Sequence, residues 1–346
     1  MATTETPIED PVRPSATPWQ RDLVQRLVDL RQRNGLAHAL LINPRTAVDS
    51  REFGWYLASA LMCRAESANA PCGECRPCRL MRANTYPDFS FTTLVDNERT
   101  HKLNRDIKIN QIRQLIHRLS LTASDSVGKY ALVYPAERMN QNAANSLLKT
   151  LEEPATGVTL ILLSHTPGRL PVTIRSRCQR WTVDSPAADE ADAWLAGEGL
   201  SQDARGDYLG LANGDAQLAA ELHSQQALEH LNALQQAIRE YLGGRSSVMA
   251  VSASVKGLDD DLLRRLVHRI LRSFIDQQLQ REPSQAGRSR LASLLDLVHK
   301  ADFVLQSQET NLILHLQLED VLISLKQILL GENHHGRTRQ PGHTVT

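Results

Sequence analysis

The chain reads as an α/β protein, a parallel sheet of the P-loop type covered by helices on both faces, followed by two all-helical regions. Two observations predict this. Apolar runs of strand length, Ala39-Leu40-Leu41-Ile42, Lys129 to Val133 and Val158 to Ser164, alternate with helical stretches; strands joined through helices run parallel. Beyond residue 183 such runs cease, and leucines recur at helical spacing instead.

Each element has its own signal. Residues 1–17 are rich in Pro, Thr and acidic side chains and are expected to be disordered. Leu23, Leu27 and Leu30 form the apolar face of a first helix that ends before Gly35, with Arg21, Arg26, Arg31 and Arg33 on its wet side. The strand Ala39 to Ile42 leads through a turn into a helix over Glu52 to Met62. After a cysteine-rich insertion, Tyr86-Pro87-Asp88-Phe89 returns the chain to the sheet, and Ile107-Lys108-Ile109 leads into a helix over Asn110 to Ser120. Following the strand Lys129 to Val133, Asn140 caps a helix whose stripe is Leu147, Leu148 and Leu151 and which Pro154 stops. Ala191 to Ala196 and Tyr208 to Leu222 suit a small helical lid domain. Gly243-Gly244-Arg245-Ser246-Ser247 is a break. Beyond it lie amphipathic helices marked by Leu262, Leu263, Leu266, Ile270 and Leu271, then Leu291, Leu294, Leu295, Leu297 and Val298, then Leu312, Leu314, Leu316, Leu318, Val321, Leu322 and Leu325. The expected organisation is a sheet domain over 18–182, a helical lid over 183–242, a helical domain over 245–330 and a disordered tail over 331–346, whose His334 and His335 are not read as metal ligands.

The turn after the first strand carries functional information. A phosphate-binding loop there reads G-x-x-x-x-G-K-[ST], with backbone N–H groups cradling phosphate and the lysine neutralising it. The corresponding residues are Asn43-Pro44-Arg45-Thr46-Ala47-Val48-Asp49-Ser50. Asn43 and Val48 replace the glycines, Asp49 replaces the lysine, and only Ser50 matches. Pro44 lacks an N–H, branched Val48 blocks close approach, and Asp49 puts negative charge where phosphate would sit. An ordinary strand-to-helix turn that was never a phosphate loop explains this segment equally well. The strand Lys129 to Val133 shows a second defect: Tyr134 stands where a magnesium-binding carboxylate is expected, with Glu137 nearby.

Cys63, Cys72, Cys75 and Cys78 follow C-x8-C-x2-C-x2-C spacing, with Pro71, Gly73 and Pro77 supplying turns. Close pairs let thiolates converge on one tetrahedral ion, and Arg64, Arg76 and Arg79 favour the thiolate form. Zn2+ is the expected occupant; four thiolates leave it no open position for catalysis. Free thiols or disulfides are the alternatives, and no signal peptide precedes the cluster. Cys178 stands apart and reads as a small buried residue behind an arginine-bearing loop.

Composition bounds the function. Lys plus Arg and Asp plus Glu each number 39, so the formal net charge is zero. A protein whose main task is gripping DNA carries a basic excess. This chain is expected to act through protein partners. No apolar run approaches the ~18 residues that span a bilayer, and the protein is expected to be cytoplasmic, without membrane partners.

Ala136-Glu137-Arg138-Met139-Asn140, the run Ala143-Ala144-Asn145-Ser146-Leu147-Leu148-Lys149-Thr150-Leu151-Glu152-Glu153-Pro154, and Leu170-Pro171-Val172-Thr173-Ile174-Arg175-Ser176-Arg177-Cys178-Gln179 together resemble the bacterial DNA polymerase III clamp-loader family of AAA+ proteins. The resemblance is strong from Pro18-Trp19 to Trp181 and is greatest to the family's delta-prime members. The gamma/tau motor members share both signatures, and the degenerate phosphate loop separates this chain from them. The resemblance implies a subunit of the polymerase holoenzyme without ATPase activity of its own, in a ring with gamma/tau and delta subunits. Through that complex it would serve the sliding clamp and primer-template DNA. It also implies a zinc module over 63–78 and a C-terminal collar, although a self-contained bundle would use the same leucines. Asn213-Gly214-Asp215 lies near the family's second nucleotide sensor, but no arginine follows. Arg177 is the expected arginine finger, donated in trans to a neighbour's ATP. Arg175 and Arg177 are expected to lie in an extended segment, one anchoring the loop while the other faces the interface. An ion pair within its own domain is the alternative role for Arg177. Two other functions compete: an ATP-hydrolysing gamma/tau-type motor, and a zinc-dependent DNA-binding regulator, which lacks a recognisable reader helix.

Overall fold

The computed structural model describes residues 14–46, 48, 50–65, 70–96, 104–124, 127–279, 291–299 and 314–330. Residues 1–13, Asp49, Leu312 and the tail 331–346 with His334 and His335 lie outside them. The chain divides into two compact units, Met1–Ala193 and Trp194–Thr346.

The first unit is built on a parallel sheet of β1 (Ala39–Asn43), β2 (Phe89–Thr92), β3 (Lys129–Val133), β4 (Val158–Leu163) and β5 (Gln179–Thr182), in the order β2-β3-β4-β1-β5. The helices are α1 (Pro18–Gln32), α2 (Ser50–Met62), α3 (Arg76–Arg82), α4 (Ile109–Ser120), α5 (Gln141–Glu152) and the short α6 (Val172–Arg175). Side chains alternate across each strand. Leu41, Ala131, Val133, Leu160 and Leu162 share one core with Ile112, Leu115 and Leu119 of α4 and Ala143, Leu147 and Leu151 of α5. On the other face α2 lies so close that a Cβ added at Gly54 would sit 2.9 Å from Leu132 and 3.2 Å from Leu163. Because both faces of β1, β3 and β4 are buried, they read as continuous apolar runs. The edge strand β5 is mostly exposed and polar, so no apolar run announced it.

The order of strands sets up the site. β1 lies between β4 and β5, and the chain crosses from β1 to the far edge at β2. Ligands of such sheets bind outside the carboxyl ends of the strands, where the order reverses.

The second unit carries α7 (Ala188–Gly197, shared at the boundary), α8 (Gln202–Leu211), α9 (Ala216–Ser224), α10 (Ala227–Leu242), α11 (Val248–Ser254), α12 (Asp260–Leu279), α13 (residues 291–299) and α14 (Leu314–Leu330). Asn213 and Gly214 take left-handed conformations in the α8–α9 turn, and the Asp215 side chain caps α9 at the Leu218 N–H, 3.1 Å away. Helix α10 packs on α9, α11 and α12. Leu262, Leu263, Leu266, Ile270, Leu294, Leu297, Leu318, Val321, Leu322 and Leu325 are buried as their spacing predicts, whereas Leu295 is exposed.

Candidate functional site

At the carboxyl end of β1 three donors of the loop's described residues are spent locally. Arg45, held at φ 64°, gives its N–H to Asn43 Oδ1 at 2.9 Å; the Thr46 N–H goes to the Pro44 carbonyl at 2.8 Å, and the Val48 N–H to Thr46 Oγ1 at 3.2 Å. Pro44 has none to give. A phosphate cradle needs converging free N–H groups, and these are turned inward. Ser50, the one residue that matches the motif, is buried and donates its hydroxyl to the Thr46 carbonyl at 2.7 Å.

Where β3 ends, Tyr134 reaches across to the loop after β4. Its hydroxyl lies 3.2 Å from His165 Nε2, and the two rings meet edge to face with centroids 5.5 Å apart. The Glu137 carboxylate accepts the His165 backbone N–H at 3.3 Å. Burial, with the Glu137 and Glu52 carboxylates adding to it, pushes the Tyr134 phenol up to about 12. The same burial outweighs Glu137 and lowers the His165 pKa. Both groups are therefore neutral at pH 7, beside the Glu137 carboxylate. His165 carried no sequence signal, because its partner is distant along the chain.

The four cysteines converge as their spacing predicts. Cys63 follows α2, Cys72 and Cys75 precede α3, and Cys78 lies within it. Their sulfurs all lie within 4.8 Å of one another, with Cys63 and Cys75 sulfurs 3.9 Å apart. A tetrahedral ion about 2.3 Å from each sulfur requires sulfur–sulfur edges of about 3.8 Å. The cage therefore fits a metal ion. It is the one such cluster among the described residues.

Backbone amides support the sulfurs. The Ala65 and Cys72 N–H groups donate to Cys63 Sγ, and the Cys75 N–H to Cys72 Sγ, each at 3.4 Å. N–H groups of Cys75 and Glu74 bring the Cys72 thiol down to about 6, whereas burial raises Cys63 and Cys78. These amides lie directly against the sulfur. Arg31 departs from expectation. It is half-buried rather than solvated, because the end of α2 packs against this part of α1 and its Nη1 meets the Leu61 and Cys63 carbonyls at 2.7 and 2.9 Å.

The Arg175–Arg177 segment is a helix end followed by a turn, not extended. Pro171 starts a turn in which N–H groups of Ile174 and Arg175 reach its carbonyl, and Ser176 continues in the helical region. Arg177 is partly exposed; its Nη2 pairs with Glu152 Oε1 at 2.6 Å and its Nη1 donates to the Thr173 carbonyl at 2.9 Å. Behind the turn Cys178 is buried in the core, which pushes its thiol up to about 11. Arg177 lies two residues before β5, and Glu152 ends α5 before β4. Both therefore lie toward the amino ends of the parallel strands, the opposite edge from Asn43, Tyr134 and His165.

This sheet order with helices on both faces is the AAA+ layout, and a DNA polymerase III gamma subunit-related protein of Thermotoga maritima has the same fold, with a TM-score of 0.51 at 21% identity, covering 89% of this chain and 99% of that one. Residues 19–186 match the family model described as DNA polymerase III, delta subunit, and over that region the chain belongs to this family. The DNA polymerase III subunit delta' of Pseudomonas aeruginosa is 34% identical over 227 residues, 65% of this chain and 66% of that protein. The subunit delta' of Escherichia coli is 34% identical over 188 residues, 54% of each chain. The chain thus aligns with between about half and two thirds of the length of these relatives. Among the described residues no helix is long and apolar enough to cross a membrane.

Proposed function

We propose that this protein is a non-hydrolysing delta-prime-type subunit of a DNA polymerase III clamp loader. It braces the ring in the cytoplasm and supplies Arg177 in trans to the ATP of an adjacent gamma/tau motor subunit. The observation that carries the reading is the separation of the two features. Asn43, Tyr134 and His165 lie at the carboxyl edge of the sheet and Arg177 at the amino edge. Arg177 thus lies away from those residues and is available to a neighbour's ATP. A guanidinium stays charged and offers a planar fork to phosphate oxygens as charge shifts during transfer. Delta is the other subunit partner, and the sliding clamp and primer-template DNA are engaged through the assembled complex.

Zinc is the ion that best suits four thiolates in a closed tetrahedral cage. Cys63, Cys72, Cys75 and Cys78 would hold it, and it would supply structural order only.

Two measurements test the reading. Calorimetry of the isolated chain with ATP and magnesium is expected to show no binding at physiological concentrations; micromolar affinity would instead favour the motor-subunit role. In a reconstituted complex, Arg177→Ala is expected to leave folding and assembly intact while lowering DNA-stimulated ATP hydrolysis and clamp loading. Such fingers contribute roughly 10³ to 10⁵ in rate in GTPases, diluted here by the ring's other sites. Full activity of the Arg177→Ala complex would overturn the role given to Arg177.

A further inference from the structure

The fork of Arg177 is already occupied. Nη2 is held by Glu152 Oε1 at 2.6 Å, while Nη1 donates to the Thr173 carbonyl at 2.9 Å and reaches Ser176 Oγ at 3.4 Å. Phosphate oxygens would seek the same Nη hydrogens in the same forked geometry. A carboxylate and a phosphate therefore compete for one guanidinium.

The position of Glu152 is not explained by its own helix. It is the last residue of α5, where a carboxylate faces the negative end of the helix dipole and is disfavoured. Arg177 offsets that cost. Glu152 and Arg177 are 51% and 35% exposed at their side chains, so water screens the pair. An exposed pair of this kind shifts an equilibrium by no more than about fivefold. The pairing is sufficient to bias where the guanidinium rests and weak enough to yield to a polyphosphate within reach.

We infer that Glu152 is a positioning residue that restrains Arg177. In a ring without DNA it keeps the guanidinium on its own domain. When the ring brings a neighbour's phosphates close, they displace the carboxylate and Arg177 turns to them. This inference rests on the trans role of Arg177 given above.

The test uses the reconstituted complex with its motor subunits. Glu152→Gln keeps the shape and removes the charge, and is expected to raise DNA-independent ATP hydrolysis on the order of two- to fivefold, the ceiling for an exposed pair. The DNA-stimulated rate should stay unchanged, because there the carboxylate has already been displaced. Glu152→Asp, which retains the charge, should keep the low DNA-independent rate, and so should Glu153→Gln at the adjacent carboxylate. The double variant Glu152→Gln with Arg177→Ala should match Arg177→Ala alone, since the effect passes through the arginine. An unchanged DNA-independent rate in Glu152→Gln, or a fall to the Arg177→Ala level, overturns the inference while leaving the trans role intact. A fully active Arg177→Ala complex instead overturns the trans role itself.

Discussion

Arg31 holds the carbonyl of Cys63: its Nη1 donates to that oxygen at 2.9 Å and to the Leu61 carbonyl at 2.7 Å. One side chain on α1 thereby satisfies two backbone acceptors at the end of α2 and fixes the segment bearing the first sulfur of the cage. Replacing Arg31 with Ala strips both carbonyls of a charged donor in a half-buried place. The expected cost is about 1 to 3 kcal/mol, read as a lower denaturant midpoint with unchanged slope. Arg31→Lys should recover only part, because an ammonium does not reproduce the guanidinium's planar geometry. Equal stability of Arg31→Ala and the parent would show that solvent replaces the contact without loss.

The cage should bind one zinc per chain. Structural zinc contributes on the order of 10 to 16 kcal/mol of apparent binding energy in small peptides, enough to order a module with little core. Replacing Cys75 and Cys78 with Ser should abolish metal binding and expose the residues between α2 and β2 to protease. Burial raises the Cys63 and Cys78 thiols, so binding must release protons and acid must weaken it. Elemental analysis, and titrations in buffers of different ionisation enthalpy, check both expectations. Metal-free protein with an ordered module would contradict them.

The elements most legible in the sequence were those whose signal is local. β1, β3 and β4 show as apolar runs because both faces are buried, and the cysteines show because ligand spacing is a property of the chain itself. β5 was missed because Gln179, Arg180 and Thr182 face solvent at the sheet edge. Sequence does not separate Arg31 from the solvated arginines of α1, because only the packing of α2 distinguishes it from them. The turn at Arg175 is hidden in the sequence because a helix of four residues, Val172–Arg175, is too short to show a period. The pairing of His165 with Tyr134 had no signal at all, since nothing in either residue's neighbourhood names the other.

His165 should leave a signature in the pH dependence of stability. Burial is the largest influence on its pKa and lowers it below the ordinary value of 6.5. The unfolded chain therefore binds more protons at this residue than the folded one below that value. The contribution of neutral His165 is fully present above about pH 6.5 and is lost as pH falls toward the depressed folded pKa. His165→Gln cannot titrate, so the difference in denaturant midpoint between it and the parent should shrink between pH 7 and 5. Parallel curves would show that His165 titrates alike in both states.

Gly128 is predicted to be among the least replaceable residues of the sheet domain. Its φ is 94°, a conformation side chains rarely adopt, and a Cβ there would lie 2.5 Å from the carbonyl oxygen of Gly157. That oxygen is itself fixed, because it accepts the Lys129 N–H at 2.8 Å where β3 and β4 begin to pair. Neither atom in the clash is the end of a flexible side chain, so relief requires moving the backbone at the start of both central strands. The strained conformation alone costs on the order of 1 to 3 kcal/mol, and the clash adds to it. Gly128→Ala should lower the unfolding midpoint well beyond Gly168→Ala, where an added Cβ meets nothing within 4 Å. Similar midpoints for the two variants would show that the contact between Gly128 and Gly157 relaxes freely.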